Sequence, residues 1–150
     1  MNLYQHILVP IDGSPTSQRA LEEALGLARQ VGQGAQLELL HVVEMILFPD
    51  SEIYFNNAEL QKIMRSSGEK ILAQAEKMVR RAGIAVQKRL LEADGERIAT
   101  VIVEEARRWP ADLIVIGTHG RSGFSRILFG SVAEGVVHTA DVPVLLVRGT

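Results

Sequence analysis

The sequence predicts an α/β fold, a single doubly wound sheet of five parallel strands with helices on both faces. Two observations predict it. Short, almost purely aliphatic runs stand at Ile7-Leu8-Val9, Leu113-Ile114-Val115-Ile116 and Val144-Leu145-Leu146-Val147. Strands buried on both faces read this way, and such strands belong to parallel sheets under helices. Between the runs lie stretches with the apolar period of a helix, so strand and helix alternate along the whole chain. Right-handed crossovers then wind the strands into one sheet.

Each element follows in order. The first strand is Ile7 to Val9. A helix follows from about Pro15 to Val31, with Ser14 as N-cap and Pro15 at the first helical position. Its stripe is Ala20, Leu21, Ala24, Leu25, Leu27 and Ala28, and Gly32 stops it. The second strand runs from Leu37 to Val43. His41 interrupts its apolar run and reads as a hydrogen-bonded core residue. Leu47 to Asn57 reads as a loop whose aromatics, Phe48, Tyr54 and Phe55, either pack over the sheet edge or form a lid or contact surface. The second helix runs from about Leu60 to Arg81 on Ile63, Ile71, Leu72, Ala75, Met78 and Val79, and Gly83 ends it. Ile84 to Val86 is the third strand. The third helix spans about Glu96 to Trp109, with Ile98, Val101, Ile102 and Ala106 inward, before Pro110. The fourth strand is Leu113 to Ile116, the fourth helix about Val132 to Thr139, and the last strand Val144 to Val147.

Composition narrows the function. The 150 residues, 47% of them apolar, read as one domain over residues 1–150. There is no cysteine, which excludes disulfides, thiolate metal sites and cysteine nucleophiles. A net charge of -2 argues against a nucleic-acid partner, which needs a basic face. No window approaches ~18 consecutive apolar residues, so no membrane span is expected. The chain start carries no secretory pattern, and a cytoplasmic location is expected.

In an open parallel sheet, ligands bind beyond the carboxyl ends of the strands. There, strand one ends in Pro10-Ile11-Asp12-Gly13-Ser14, and strand four in Ile116-Gly117-Thr118-His119-Gly120-Arg121. Four of the chain's 13 glycines fall between Gly117 and Gly130. Glycine lets a ligand approach the main chain closely. Ser131 then opens a helix, whose free N–H groups and dipole suit an anion. A glycine-rich loop feeding a helix N-terminus, beside the strand-end Asp12, suits a nucleotide. Arg121 lies inside that loop and reads equally as a phosphate contact or as solvated surface charge. Each piece also has a plainer use. Ser131 and Glu134 match a capping box, and Asp12-Gly13 matches a turn before a helix. A Walker loop, a dinucleotide fingerprint and a nucleophile elbow are all absent. The four histidines show no i,i+4 pairing, so a histidine metal site is not expected.

The motif Gly117-x2-Gly120-x9-Gly130-Ser131 resembles the nucleotide-binding signature of the universal stress protein family. Ile7-Leu8-Val9-Pro10-Ile11-Asp12-Gly13-Ser14, Leu39-Leu40-His41-Val42, Asp112 to Gly120 and Pro143 to Val147 resemble that family's first, second, fourth and last strands. The resemblance covers the whole chain. It implies an adenine nucleotide alpha hydrolase-like sheet of strand order 3-2-1-4-5. It also implies binding of ATP (or ADP or AMP) with Mg²⁺ or Mn²⁺. By motif, Asp12 would meet the ribose or the metal-bound phosphates, and Pro10 would shape the adenine side. The Val42 main chain would bond adenine, and Ile116 and Gly117 would flank the ribose. Gly120, Arg121, Gly130, Ser131 and Val132 would surround the phosphates. It further implies a homodimer through the last strand, Val144 to Val147, where an unpaired apolar edge needs cover. The expected role is a nucleotide-dependent stress-response switch acting on a protein partner that the sequence does not name. The alternatives are a slow ATPase or phosphotransferase, for which no general base presents itself, and a nucleotide-free dimeric interaction module.

Overall fold

A computed structural model describes residues 4–44, 57–119 and 130–149. Among the described residues five strands and four helices alternate: β1 His6–Pro10, α1 Pro15–Val31, β2 Gln36–Val43, α2 Asn57–Arg81, β3 Ala85–Glu92, α3 Ile98–Arg108, β4 Leu113–Gly117, α4 Ser131–Thr139 and β5 Val144–Val147. All pairings are parallel, in the order β3-β2-β1-β4-β5. The expected sheet order holds. β1 is central, with Ile7 opposite Leu37 of β2 on one side and Leu113 of β4 on the other.

Alternation along the strands feeds two cores. Ile7, Val9, Leu37, Leu39 and Val115 pack under α1 and α2, through Leu21, Ala24, Leu72 and Val79. Leu8, Leu40, Ile114 and Ile116 pack under α3 and α4, through Ile102, Val103, Ala133 and Val136. Burial on both faces is why these strands read as solid aliphatic runs.

β3 departs from that rule and is longer than the run Ile84 to Val86. It pairs residue for residue with β2, from Gln36↔Ala85 to Val43↔Glu92. As an edge strand it carries Gln87, Lys88 and Arg89 without burying them on two faces, and charge on an edge also blocks foreign pairing. Its last residue, Glu92, is held by Arg65 and Gln61 of α2. The segment Leu47 to Asn57 lies almost wholly outside the described residues, and its expected role is not tested. α2 begins at Asn57, three residues before the expected start.

Two acidic residues are buried among the described residues. Glu38 of β2 is fully buried, as is Glu105 of α3 at 3% exposure. The Gln87 amide donates to Glu38. Glu105 takes a paired hydrogen bond from Arg108, at 2.6 and 2.5 Å, and lies 3.6 Å from Arg89 Nε. Burial, and then the hydrogen bond with Glu105, push the Glu38 carboxyl up to about 8.

Candidate functional site

Strand order reverses between β1 and β4, and a cavity of about 560 Å³ opens there beyond the carboxyl ends of the strands. Its volume is that of an ordinary small-molecule site. Pro10, Asp12, Val42, Ile116, Gly117, Gly130, Ser131 and Val132 all line it. Gly120 and Arg121, the other two residues expected there, lie outside the described residues.

The β1–α1 turn is held by its own short side chains. Ser14 N–H donates to Asp12 Oδ1 at 2.8 Å, while Gly13 takes φ +83°. Ser14 Oγ then caps α1, accepting from Ser17 N–H at 3.2 Å, and Ser17 Oγ donates to the Ser14 carbonyl at 2.9 Å. The turn reading and the ligand reading of Asp12 are therefore compatible. One carboxylate oxygen closes the turn, and the turn sets the carboxylate at the cavity wall.

Opposite stands the N-terminus of α4. Its cap is Gly130, not Ser131, so the capping-box reading of Ser131 and Glu134 is one residue out of register. The Gly130 carbonyl accepts the first helical bond, from Glu134 N–H at 3.0 Å. A helix leaves the N–H groups before that bond without intrahelical acceptors. Ser131, Val132 and Ala133 carry them, and all three line the cavity. Positive potential at this end faces the Asp12 side across the crevice.

Gly117 has a packing role that its spacing alone did not show. A Cβ there would lie 2.9 Å from the Thr16 carbonyl carbon and oxygen. The absent side chain lets the start of α1 press onto the end of β4. The Thr16 hydroxyl also donates to the His119 carbonyl, fastening the β4 exit to α1. Thr118 is buried, and its N–H donates to Val147 at 2.9 Å.

Main-chain parity places Val42. The Leu40 carbonyl accepts from Ile11 N–H at 2.8 Å on the β1 side, whereas the Val43 carbonyl accepts from Ala93 N–H on the β3 side. N–H and C=O of one strand residue point to the same neighbour. Val42, two residues past Leu40, thus turns both groups toward β1. The β1 pairing, however, ends at Pro10↔Leu40. Its polar main chain projects into the crevice.

Several lining residues escaped sequence reasoning. Ile98 and Ile102, one turn apart on α3, form an apolar wall, and their helical period disclosed only that they face inward. Glu44 gave no signal. His41, expected as a hydrogen-bonded core residue, does hydrogen-bond, to the Ile11 carbonyl at 2.7 Å, but it also borders the cavity. Among the described residues no group of three or more His, Asp or Glu is placed to hold a metal ion. No helix among them is long and apolar enough to cross a membrane.

Comparison with known proteins agrees with the fold. A family model for the universal stress protein family matches residues 3–148. A universal stress protein of Methanocaldococcus jannaschii is 35% identical over 147 residues, covering 98% of this chain and 84% of that protein. The solved structure of the universal stress protein UspA from Lactobacillus plantarum is similar at TM-score 0.84 and 26% identity, with 97% of this chain and 99% of that one covered. A universal stress protein solved in complex with cAMP is similar at TM-score 0.67 and 28% identity, with 99% of each chain covered. Matched across nearly its whole length by family, relative and fold, the chain belongs to the universal stress protein family.

Proposed function

We propose that the crevice binds ATP with Mg²⁺ and that the protein is a nucleotide-dependent switch. One observation carries the reading. The cavity at the switch point joins an open helix N-terminus, Gly130 to Val132, to a strand-end carboxylate, Asp12. Phosphates fit the first, and a ribose or a phosphate-bound cation fits the second. Val42 offers a main-chain donor and acceptor to the adenine edge, with Pro10 beside it. Ile116 and Gly117 flank the ribose. By motif, Gly120 and Arg121, which lie outside the described residues, are proposed for the phosphate side. A phosphate-bound Mg²⁺ would neutralise phosphate charge, and Asp12, one of the two carboxylates that line the cavity with Glu44, would be placed to hold it.

The solved relative in complex with cAMP supports an adenine nucleotide and favours a second reading, a ligand with a single phosphate. Purified protein, denatured without added nucleotide, should release ATP or ADP in stoichiometric amount, identified by mass spectrometry. Release of cAMP or AMP instead would select the second reading. Nothing released, with no calorimetric binding of Mg²⁺-ATP or cAMP, would overturn both and leave the interaction module.

The switch acts through differential affinity, since a ligand shifts a conformational equilibrium only by binding one state better. The protein is further proposed to be a homodimer through β5. That strand is the sheet edge, and Leu145 on it and Val137 on the neighbouring α4 are exposed at 37% and 44%.

A further inference from the structure

We infer that His41 is a positioning residue that keeps β1 and β2 from zipping further, leaving the Val42 main chain open to a ligand, and that Gly68 of α2 exists to make room for its ring. The inference rests on the adenine-nucleotide reading only for its ligand readout.

The ladder between β1 and β2 stops one bond short of where its backbone would carry it. Ile11 N–H donates to the Leu40 carbonyl at 2.8 Å. In a parallel ladder the same residue's carbonyl would next accept from Val42 N–H. Among the described residues that bond is not made. The Ile11 carbonyl instead receives His41 Nδ1 at 2.7 Å. A carbonyl oxygen only accepts, so Nδ1 carries the proton and donates. A side chain thus occupies the acceptor that would have consumed the Val42 amide. The same bond fixes the peptide plane between Ile11 and Asp12. The Asp12 N–H, at the far side of that plane, points at Ser17 Oγ, 3.4 Å away. One imidazole therefore sets both the Val42 side and the Asp12 side of the crevice.

The other edge of the ring is walled. A Cβ on Gly68 would lie 2.5 Å from His41 Cδ2, 3.0 Å from Nε2 and 2.9 Å from Leu90 Cδ1. Gly68 is buried within α2, between exposed neighbours, and does not line the cavity. A helix-interior glycine lowers helix stability relative to alanine, so its use here calls for a packing cause. The cause is the ring. Restoring ordinary carbon contact beside an added methyl requires a ring shift of about 1 Å, which a hydrogen bond of this length does not survive.

Amide hydrogen exchange on the free protein tests the inference without any ligand. The Val42 amide is expected to exchange readily in the wild type and to become protected in His41→Ala, where the Ile11 carbonyl is free to take it. By calorimetry, Mg²⁺-ATP affinity is expected to fall about tenfold in His41→Ala. Gly68→Ala keeps a strong helix former in α2 and is expected to give a similar fall. Added to His41→Ala it should cost nothing more, because both changes act on one ring. A Val42 amide already protected in the wild type, exchange unaltered by His41→Ala, or additive losses in the double variant would each overturn the inference. A wild type that binds no nucleotide would sink the functional reading alone, and the exchange result would still decide the role of His41.

Discussion

Glu38 and Glu105 face each other across the α3 side of the sheet, and their charges are opposed by Arg108 on the same helix and Arg89 on β3. From β3, Gln87 also reaches Glu38. On β1 the paired residue is the apolar Leu8, and beyond it the His6 ring rests against Trp109. Burial raises Glu38 to about 8. For Glu105, burial alone would raise the carboxyl, but its hydrogen bonds from Arg108 and Glu38, with the charges of Arg108 and Arg89, bring it below its ordinary value. The two shifts act on stability in opposite windows. An acid whose folded pKa is raised keeps its proton while the unfolded chain releases it. Stability from Glu38 is therefore full below 4.5 and drains away as pH rises to about 8. The slope is about 1.4 kcal/mol per pH unit. Glu105 contributes above its unfolded value and loses that contribution as pH falls through its lowered folded one. Urea unfolding from pH 5 to 9 should show this fall in the wild type, and Glu38→Gln should flatten it and gain relative stability at the alkaline end. Parallel wild-type and variant curves would show that Glu38 is not the titrating group. None of this was legible in the sequence, where Glu38 is one polar letter in a strand and Glu105 lies in another element. Only the fold brings them together.

Elements were legible where one local rule governed them. Ser14-Pro15 announced the start of α1, and the aliphatic runs announced β1, β4 and β5. β3 was cut short because an edge strand does not obey the two-face rule. The α4 start was off by one because Ser131 mimics a cap that Gly130 supplies. Glycines tell a similar story. Gly117 was read as a ligand position, yet its spacing to α1 is equally a packing demand. Gly135, inside α4, was not singled out. A Cβ there would meet Ala99 Cβ at 2.6 Å, so it sets how closely α3 and α4 approach. Gly117→Ala should force α1 away from β4 and cost about 1–3 kcal/mol in denaturant unfolding. A cost within experimental error would mean that the α1 start yields easily. The sharper test of the phosphate side is Gly130→Val, which should abolish nucleotide binding while circular dichroism shows the fold retained. Unchanged affinity would put the phosphates elsewhere.

For the whole molecule, family and topology were readable because the glycine signature and four strand motifs span the chain, and the fold then gathers eight of ten expected site positions around one cavity. If β5 pairs across a two-fold, Leu145→Arg should shift the mass measured by light scattering from dimer to monomer and leave nucleotide affinity intact. A wild type already monomeric at working concentration would remove the proposed interface.

The order β3-β2-β1-β4-β5 also imposes a timetable. β1 is made before every other strand of the sheet, yet it remains a half-finished centre until Leu113–Gly117 has been made. At roughly 5–20 residues per second, that is a wait of several seconds. During it, β1, β2 and β3 can assemble under α1 and α2 while the opposite edge of β1 stays uncapped. Leu8 and Leu40, later sealed beneath α3 and α4, are fully covered only once Ser131–Thr139 has also been made. The crevice mouth at the β1–β4 junction therefore comes into being only after β2 and β3 are already paired, and the growing chain passes through a stage at which its central strand is an invitation to the wrong neighbour.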